Sequence, residues 1–212
     1  MKVLIAFATG DGQTGRIVQR IAAVLTRAGH AVVLANLRLE PPPALDGFEL
    51  TLVAAPVRFG KHHRAALDFC KANREALFAG PSALVSVSLS AARARPGARR
   101  EVAKALAHFV KTTAWVPARI FAVAGALLYT SYSPFLRRVM RFFARLADRE
   151  TDASRDYEYT DWAAVEAFAH ELVRSLPAVP PPGGFRAMER SEGCRTGVAE
   201  DGNELVDPMV MS

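Results

Sequence analysis

Val3-Leu4-Ile5-Ala6-Phe7-Ala8-Thr9-Gly10-Asp11-Gly12-Gln13-Thr14-Gly15 runs from an unbroken apolar stretch through a polar turn into a helical repeat. Ile17, Val18, Ile21, Val24 and Leu25 follow at helical spacing and form one apolar stripe. Gly29 then ends the helix, and His30 begins the return to a second apolar run, 31–36. Strand, helix and strand in this order make a βαβ unit, whose two strands lie parallel. Further strand-like runs at 50–55, 83–87 and 120–124 alternate with helix-length stretches at 65–77, 98–112 and 161–175. The alternation predicts an α/β fold: an open five-stranded parallel sheet with helices on both faces. After the fifth strand, 127–160 is too long for an ordinary connection and reads as an insertion. The Pro- and Gly-rich stretch 177–212 has no periodicity and reads as a disordered tail behind a domain of residues 1–176.

With 212 residues, 50% apolar and 23% charged, the chain can bury one sizeable core, which excludes a disordered polymer. Its two cysteines, Cys70 and Cys194, are too few and too far apart for a disulfide framework or a zinc ribbon. A reducing compartment is therefore expected. No apolar run reaches the roughly 18 residues of a spanning helix, and the first run is too short for the core of an export signal. The net charge is +6, but 178–212 holds three Arg against six acids, which leaves residues 1–177 at +9. Such a surface suits an anionic partner: nucleic acid, an acidic lipid leaflet or a polycarboxylate.

Thr9, Gly10, Asp11, Gly12, Gln13 and Thr14 sit at the carboxyl end of the first strand, where open α/β folds bind ligands. Amides at a helix start, the helix dipole and two hydroxyls suit a dianionic phosphate without any lysine. A Walker loop would need Gly-Lys-Ser/Thr, which is missing. Gly10, Gly12 and Gly15 formally match a dinucleotide fingerprint, yet the second strand ends in Asn36 where that motif needs an acid. The remaining alternative is an ordinary strand-to-helix turn capped by Thr14.

The third strand leads into Ala55-Pro56-Val57-Arg58-Phe59-Gly60-Lys61-His62-His63 and the fourth into Ser86-Val87-Ser88-Leu89, on the same sheet edge. Here the chain resembles the flavodoxin-like family, and more specifically its quinone-dependent protoporphyrinogen oxidase branch. The residues that carry the likeness are Thr9 and Asp11 to Thr14, Arg58-Phe59-Gly60 with His63, Ser86-Val87 with Leu89, Ala124-Gly125-Ala126-Leu127, Glu150-Thr151-Asp152, and Tyr159-Thr160-Asp161-Trp162. The resemblance implies FMN, with its phosphate in Thr9 to Thr14. Val57, Arg58, Phe59 and Gly60 would flank the ring together with Ser86, Val87, Ser88 and Leu89, and Gly125, Ala126 and Leu127 would join the site. Backbone groups, not the Asp11 carboxylate, would face the phosphate. The implied reaction, a step of haem biosynthesis, takes protoporphyrinogen IX to protoporphyrin IX with menaquinone or ubiquinone as acceptor. The chain departs from the branch at Leu128, Ser131 and Ser133 to Phe135, and at Asp148-Arg149.

Protoporphyrinogen is electron-rich, so positioning should dominate over acid or base help. Arg58 is a candidate contact for its propionates, because a guanidinium grips a carboxylate with two prongs; a contact to the flavin itself is the alternative. His62 and His63 lack further ligands at metal-binding spacing, and no metal is expected. Cys70, Trp115 and Trp162 read as packing, and no strained serine elbow is present. Besides a non-catalytic domain that has lost the flavin, two other readings share the fold. A flavodoxin-type electron carrier is disfavoured by the +9 core, since such carriers are usually acidic; an NAD(P)H-dependent flavin quinone reductase is the other.

Ser133-Pro134 signals a helix start. Phe135, Val139, Phe142 and Leu146 then form an apolar face opposite Arg137, Arg141 and Arg145. A basic face opposite a Phe-rich one suits a helix lying in an anionic membrane surface. The expected location is therefore the cytoplasmic face of the inner membrane, held peripherally, or the cytoplasm. A nucleic-acid partner is not expected, because the second basic cluster, Arg93 to Lys104, lacks interleaved aromatics. The pattern leaves room for a homo-oligomer. Replacing Arg137, Arg141 and Arg145 by Glu is expected to abolish sedimentation with phosphatidylglycerol vesicles, and unchanged sedimentation refutes the membrane role of 133–147.

Overall fold

The computed structural model describes residues 1–92, 96–127 and 157–175. All of them fall in one compact unit, Met1–Val179; the other unit, Pro180–Ser212, lies outside the described residues, as does the expected helix 133–147. Strands β1 (Lys2–Phe7), β2 (Ala31–Asn36), β3 (Leu50–Arg58), β5 (Ser82–Ser88) and β6 (Arg119–Ala124) form a parallel sheet in the order β2-β1-β3-β5-β6. All five strands predicted from apolar runs are present. A short strand, β4 (Lys61–His62), turns back on β3, and β7 (Ala126–Leu127) pairs with β8 (Tyr157–Glu158).

Alternation along each strand divides the core into two layers. Val3, Ile5, Leu52, Ala54, Val85 and Val87 face α1 (Gln13–Arg27) and α5 (Trp162–Ser175). Leu4, Ala6, Val53, Ala55 and Leu84 face the other way, onto α2 (Arg64–Ala72), α3 (Arg74–Ala79) and α4 (Pro96–Thr113). The stripe read on α1 is the buried one: Ile17, Val18, Ile21 and Leu25 are fully enclosed. Cys70 and Trp115 are fully buried, as expected for packing residues. Trp162 also packs against the core, from a partly exposed position beneath Arg16 and Arg20, whose guanidinium carbons are 5.5 and 5.8 Å from its ring centre.

Three boundaries differ from the sequence reading. The single helix expected over 65–77 is two, because Asn73 leaves helical geometry (φ −112°, ψ 19°) and its side-chain amide donates to the Phe69 carbonyl at 2.9 Å. Asn competes with the helix for its own carbonyls, which explains the break. The fourth predicted strand continues through Ser88, since Ser86, Val87 and Ser88 stay paired with Ala122, Val123 and Ala124. The third continues to Arg58, where Phe59 and Gly60, both at positive φ (50° and 74°), make a two-residue hairpin turn into β4. Positive φ at both central residues is the requirement of the type I′ hairpin turn; Phe-Gly is not the residue pair that usually announces it.

At the end of α4, Ala114 takes φ 51° as its amide donates to the Val110 carbonyl at 2.8 Å. A methyl-bearing residue is strained in this left-handed conformation, and glycine is not. Ala114→Gly is expected to raise the unfolding free energy by about 0.5–1 kcal/mol, measured by urea titration; an equal or lower value refutes strain at this cap.

Candidate functional site

Parallel order places the turns after β1, β3 and β5 side by side at one edge, and the site grows from the first of them. Gly12, at φ 90°, turns the chain into α1, and its amide donates to Thr9 Oγ1 at 3.0 Å. The first intrahelical bond runs from the Arg16 amide to the Gly12 carbonyl at 3.0 Å. The amides of Gln13, Thr14 and Gly15 therefore receive no carbonyl from their own helix, and the N-cap residue Gly12 has no side chain to offer them. Together with the positive end of the helix dipole they form a donor set that fits a phosphate. The glycines keep the turn low: a Cβ at Gly10 would lie 3.0 Å from Arg58 Nη2, and Gly12 needs its left-handed φ.

Of the six residues read as the phosphate loop, Gln13 has a side chain that is engaged elsewhere. Its amide nitrogen donates to Glu158 Oε1 at 2.9 Å and to Thr160 Oγ1 at 2.8 Å, while its oxygen accepts from Arg16 Nη1 at 3.0 Å. Thr160 in turn donates to the Ala124 carbonyl at 2.9 Å. Only the backbone of Gln13 remains for an anion; its side chain ties α1 to the strand that returns from the insertion. Gly125 sits in the same joint, with its amide on the Ser88 carbonyl (3.3 Å) and its carbonyl accepting from Tyr159 (3.2 Å). A Cβ there would press on Val87 at 3.2 Å, so glycine permits the close approach. Ala126 and Leu127 continue as β7, paired with Glu158 and Tyr157.

Arg58 leaves the end of β3 and forms an ion pair with Asp11 of the phosphate loop. Phe59 stands at the hairpin tip with 68% of its surface exposed, and Val57 pairs with His62. The second ring loop is shorter than the sequence reading. Ser86 and Val87 are buried within β5, and Ser88 caps the following turn by accepting from the Ala91 amide at 3.2 Å. Leu89 opens that turn, a 3-10 helix over Leu89–Ala92.

Arg38 escaped the sequence reading. It follows β2 on the same edge and donates from Nη1 to the Thr9 carbonyl at 2.7 Å. Its placement just after a strand that neighbours β1 was the available signal. Glu158 was likewise missed, because nothing local to it announces a partner 145 residues away.

The two histidines part company. His63 caps α2, accepting from the Ala65 amide at Nδ1 (3.2 Å), and its pKa is lowered by burial and then by Arg38 and Arg58. His62 lies inside, with Nε2 2.9 Å from Ser86 Oγ and its ring edge-on to Phe109 at 4.9 Å. Burial, reinforced by the field of His108 and opposed by the Ala105 backbone, lowers its pKa to about 4. Among the described residues no cluster of His, Cys, Asp or Glu could hold a metal, and no helix is long and apolar enough to cross a membrane.

A parallel sheet of this order, with an amide-lined turn after its first strand, defines a flavodoxin-like α/β phosphate-binding domain. The chain belongs to the flavodoxin domain family, whose pattern it matches over residues 4–154, and within it to the quinone-linked protoporphyrinogen IX dehydrogenases. It is 33% identical over 173 residues to protoporphyrinogen IX dehydrogenase (quinone) of Escherichia coli strain K12, covering 81% of this chain and 94% of that protein. The Leishmania major protein of the same name is 31% identical over 202 residues, 91% of this chain and 83% of that one. Flavodoxin 1 from Bacillus cereus is a similar solved structure, at 14% identity and a TM-score of 0.48, over 83% of this chain and 99% of it.

His62 supplies a pH test. A histidine held neutral by burial contributes full stability above its unfolded pKa near 6.5, loses it as pH falls toward about 4, and has lost it all below that. His62→Gln is expected to reduce the fall in unfolding free energy between pH 7.5 and 5 by about 2 kcal/mol. An unchanged slope in urea titrations means the ring is not buried in its neutral form.

Proposed function

We propose that this chain oxidises protoporphyrinogen IX to protoporphyrin IX in haem biosynthesis, holding FMN at the β1–α1 turn and passing electrons to a membrane quinone. The carrying observation is the unclaimed donor set of Gln13, Thr14 and Gly15 behind a left-handed Gly12, in a chain that covers 94% of the Escherichia coli enzyme. FMN, when bound, supplies two-electron chemistry between an organic substrate and a quinone.

The chain's own residues then divide the work. Backbone amides and Thr9 shape the phosphate seat, and the strand ends fix its place relative to the two neighbouring turns. The β3–β4 hairpin, with Val57, Arg58, Phe59 and Gly60, and the turn begun by Leu89 stand on adjacent strands, on the side where the ring would lie. Ser86 and His62 sit in the wall beneath and carry no charge near neutral pH. No side chain of the described site is poised as a general acid or base, which accords with a substrate that needs positioning more than proton transfer. The basic face of 133–147 brings the enzyme to an anionic membrane surface, where its quinone is dissolved.

The purified protein is expected to take up FMN, to be bleached anaerobically by protoporphyrinogen IX, and to recover its colour on addition of menaquinone or ubiquinone. Bleaching by NAD(P)H alone would favour the reductase reading, and failure to take up FMN would remove every flavin reading.

A further inference from the structure

A carboxylate inside a phosphate loop is an electrostatic problem. Asp11 lies one residue before the left-handed Gly12, beside the amides that would receive a dianion, and 8–15 contains no lysine or arginine. Two guanidiniums from other strands address it. Arg58 reaches from the end of β3 to pair with Asp11, and its Nη2 and Cζ lie 3.0 and 3.3 Å from where a Cβ of Gly10 would stand. Its guanidinium therefore lies over the backbone of the loop and not out toward the hairpin tip. Arg38, from the segment after β2, holds the loop from its other neighbour through the Thr9 carbonyl. The lowered pKa of His63 registers both guanidiniums from a third position. A second ion pair nearby, Arg16 with Glu158, is neutral as a unit and lies a turn further along α1.

We propose that Asp11 is an anchor and not a phosphate ligand. It latches Arg58 over the loop, so that Arg58 and Arg38 together supply the positive charge for the cofactor's phosphate. Among the described residues, Asp11, Arg58 and Arg38 together place one acid against two guanidiniums at the loop, although its own sequence is acidic. Arg58 on this view belongs to the cofactor's anionic end, not to the propionates of the substrate. The inference rests on the FMN reading given above.

FMN and riboflavin differ only in the phosphate, so a contribution acting through it appears in one and not the other. Binding of each to the apoprotein is followed by quenching of flavin fluorescence at low and at 0.5 M salt. Arg58→Met and Arg38→Met are each expected to weaken FMN about tenfold and to leave riboflavin within about twofold. The wild-type preference for FMN should narrow at high salt, since exposed charges are screened there. Asp11→Asn separates anchor from ligand. In the Arg58→Met background it removes a repulsive carboxylate that Arg58 no longer faces and should restore most of the lost FMN affinity; in the wild-type background it should change affinity less than threefold. Equal losses for FMN and riboflavin, or the same Asp11→Asn effect in both backgrounds, overturn the latch while leaving the FMN reading intact. A wild-type protein that binds neither flavin overturns both.

Discussion

Three amides at the start of α1 that no carbonyl of their own helix can satisfy determine what the carboxyl edge of the sheet is for. An exposed helix start can leave such groups to water, but here the chain has fixed them in place: Gly12 enters the helix left-handed and Thr9 takes the Gly12 amide. The seat is thus shaped by the chain itself, and its donors are backbone groups that neither titrate nor change with side-chain rotamers. Parallel pairing does the rest. Because β3 lies beside β1, and β5 beside β3, the next two turns of the sheet must stand next to the seat. An anionic group placed there has its attached ring directed along a row of loops whose spacing the strands set.

Much of this was legible in the sequence, for a physical reason. Strands buried on both faces must be apolar throughout, so the runs at 3–8, 50–55 and 83–87 declared themselves, and the stripe on α1 followed from the 3.6-residue period. The phosphate loop was legible because glycine and hydroxyl residues between a strand and a helix answer a need of the backbone. What stayed hidden depends on pairing across distance. The Phe59-Gly60 turn carries no residue pair that announces it, and it forms because Val57 and Arg58 find His62 and Lys61. Ser86 falls in both the fourth apolar run and the loop motif that overlaps it, and the buried His62 ring gives its hydroxyl a partner inside the sheet. Arg38 and Glu158 lie 29 and 145 residues from the atoms they serve, beyond the reach of any local pattern.

Gln13 shows how one residue can belong to the seat without facing it. Both ends of its side chain are engaged: the nitrogen by Glu158 and Thr160, the oxygen by Arg16. Through Thr160 the chain of bonds reaches the end of β6. Each neutral link contributes about 1 kcal/mol at most, and the Arg16–Glu158 pair is half-exposed and worth little alone. Together they join the phosphate turn to the strand that closes the insertion. β7 and β8, the strands on either side of residues 128–156, pair with each other beside the site. Glu158 and Thr160, just after that segment, are thereby tied to the loop that would hold the cofactor.

Charge around the site divides into parts that respond to pH and parts that do not. Arg38 and Arg58 hold their charge at any working pH. Their field, after burial, is what keeps His63 from gaining a proton, so the histidine nearest the loop adds nothing to its charge near neutrality. His62 is kept neutral by enclosure, next to Ser86 and Phe109. Acidification toward pH 5 therefore strains the fold through its buried imidazole while the guanidiniums at the phosphate seat stay unchanged. A fall in bound flavin over that range would combine loss of the folded protein with protonation of the phosphate itself, and not discharge of the arginines. The separation follows from chemistry already in the chain: arginine where charge must persist, and enclosed histidine where a polar ring must pack against Phe109.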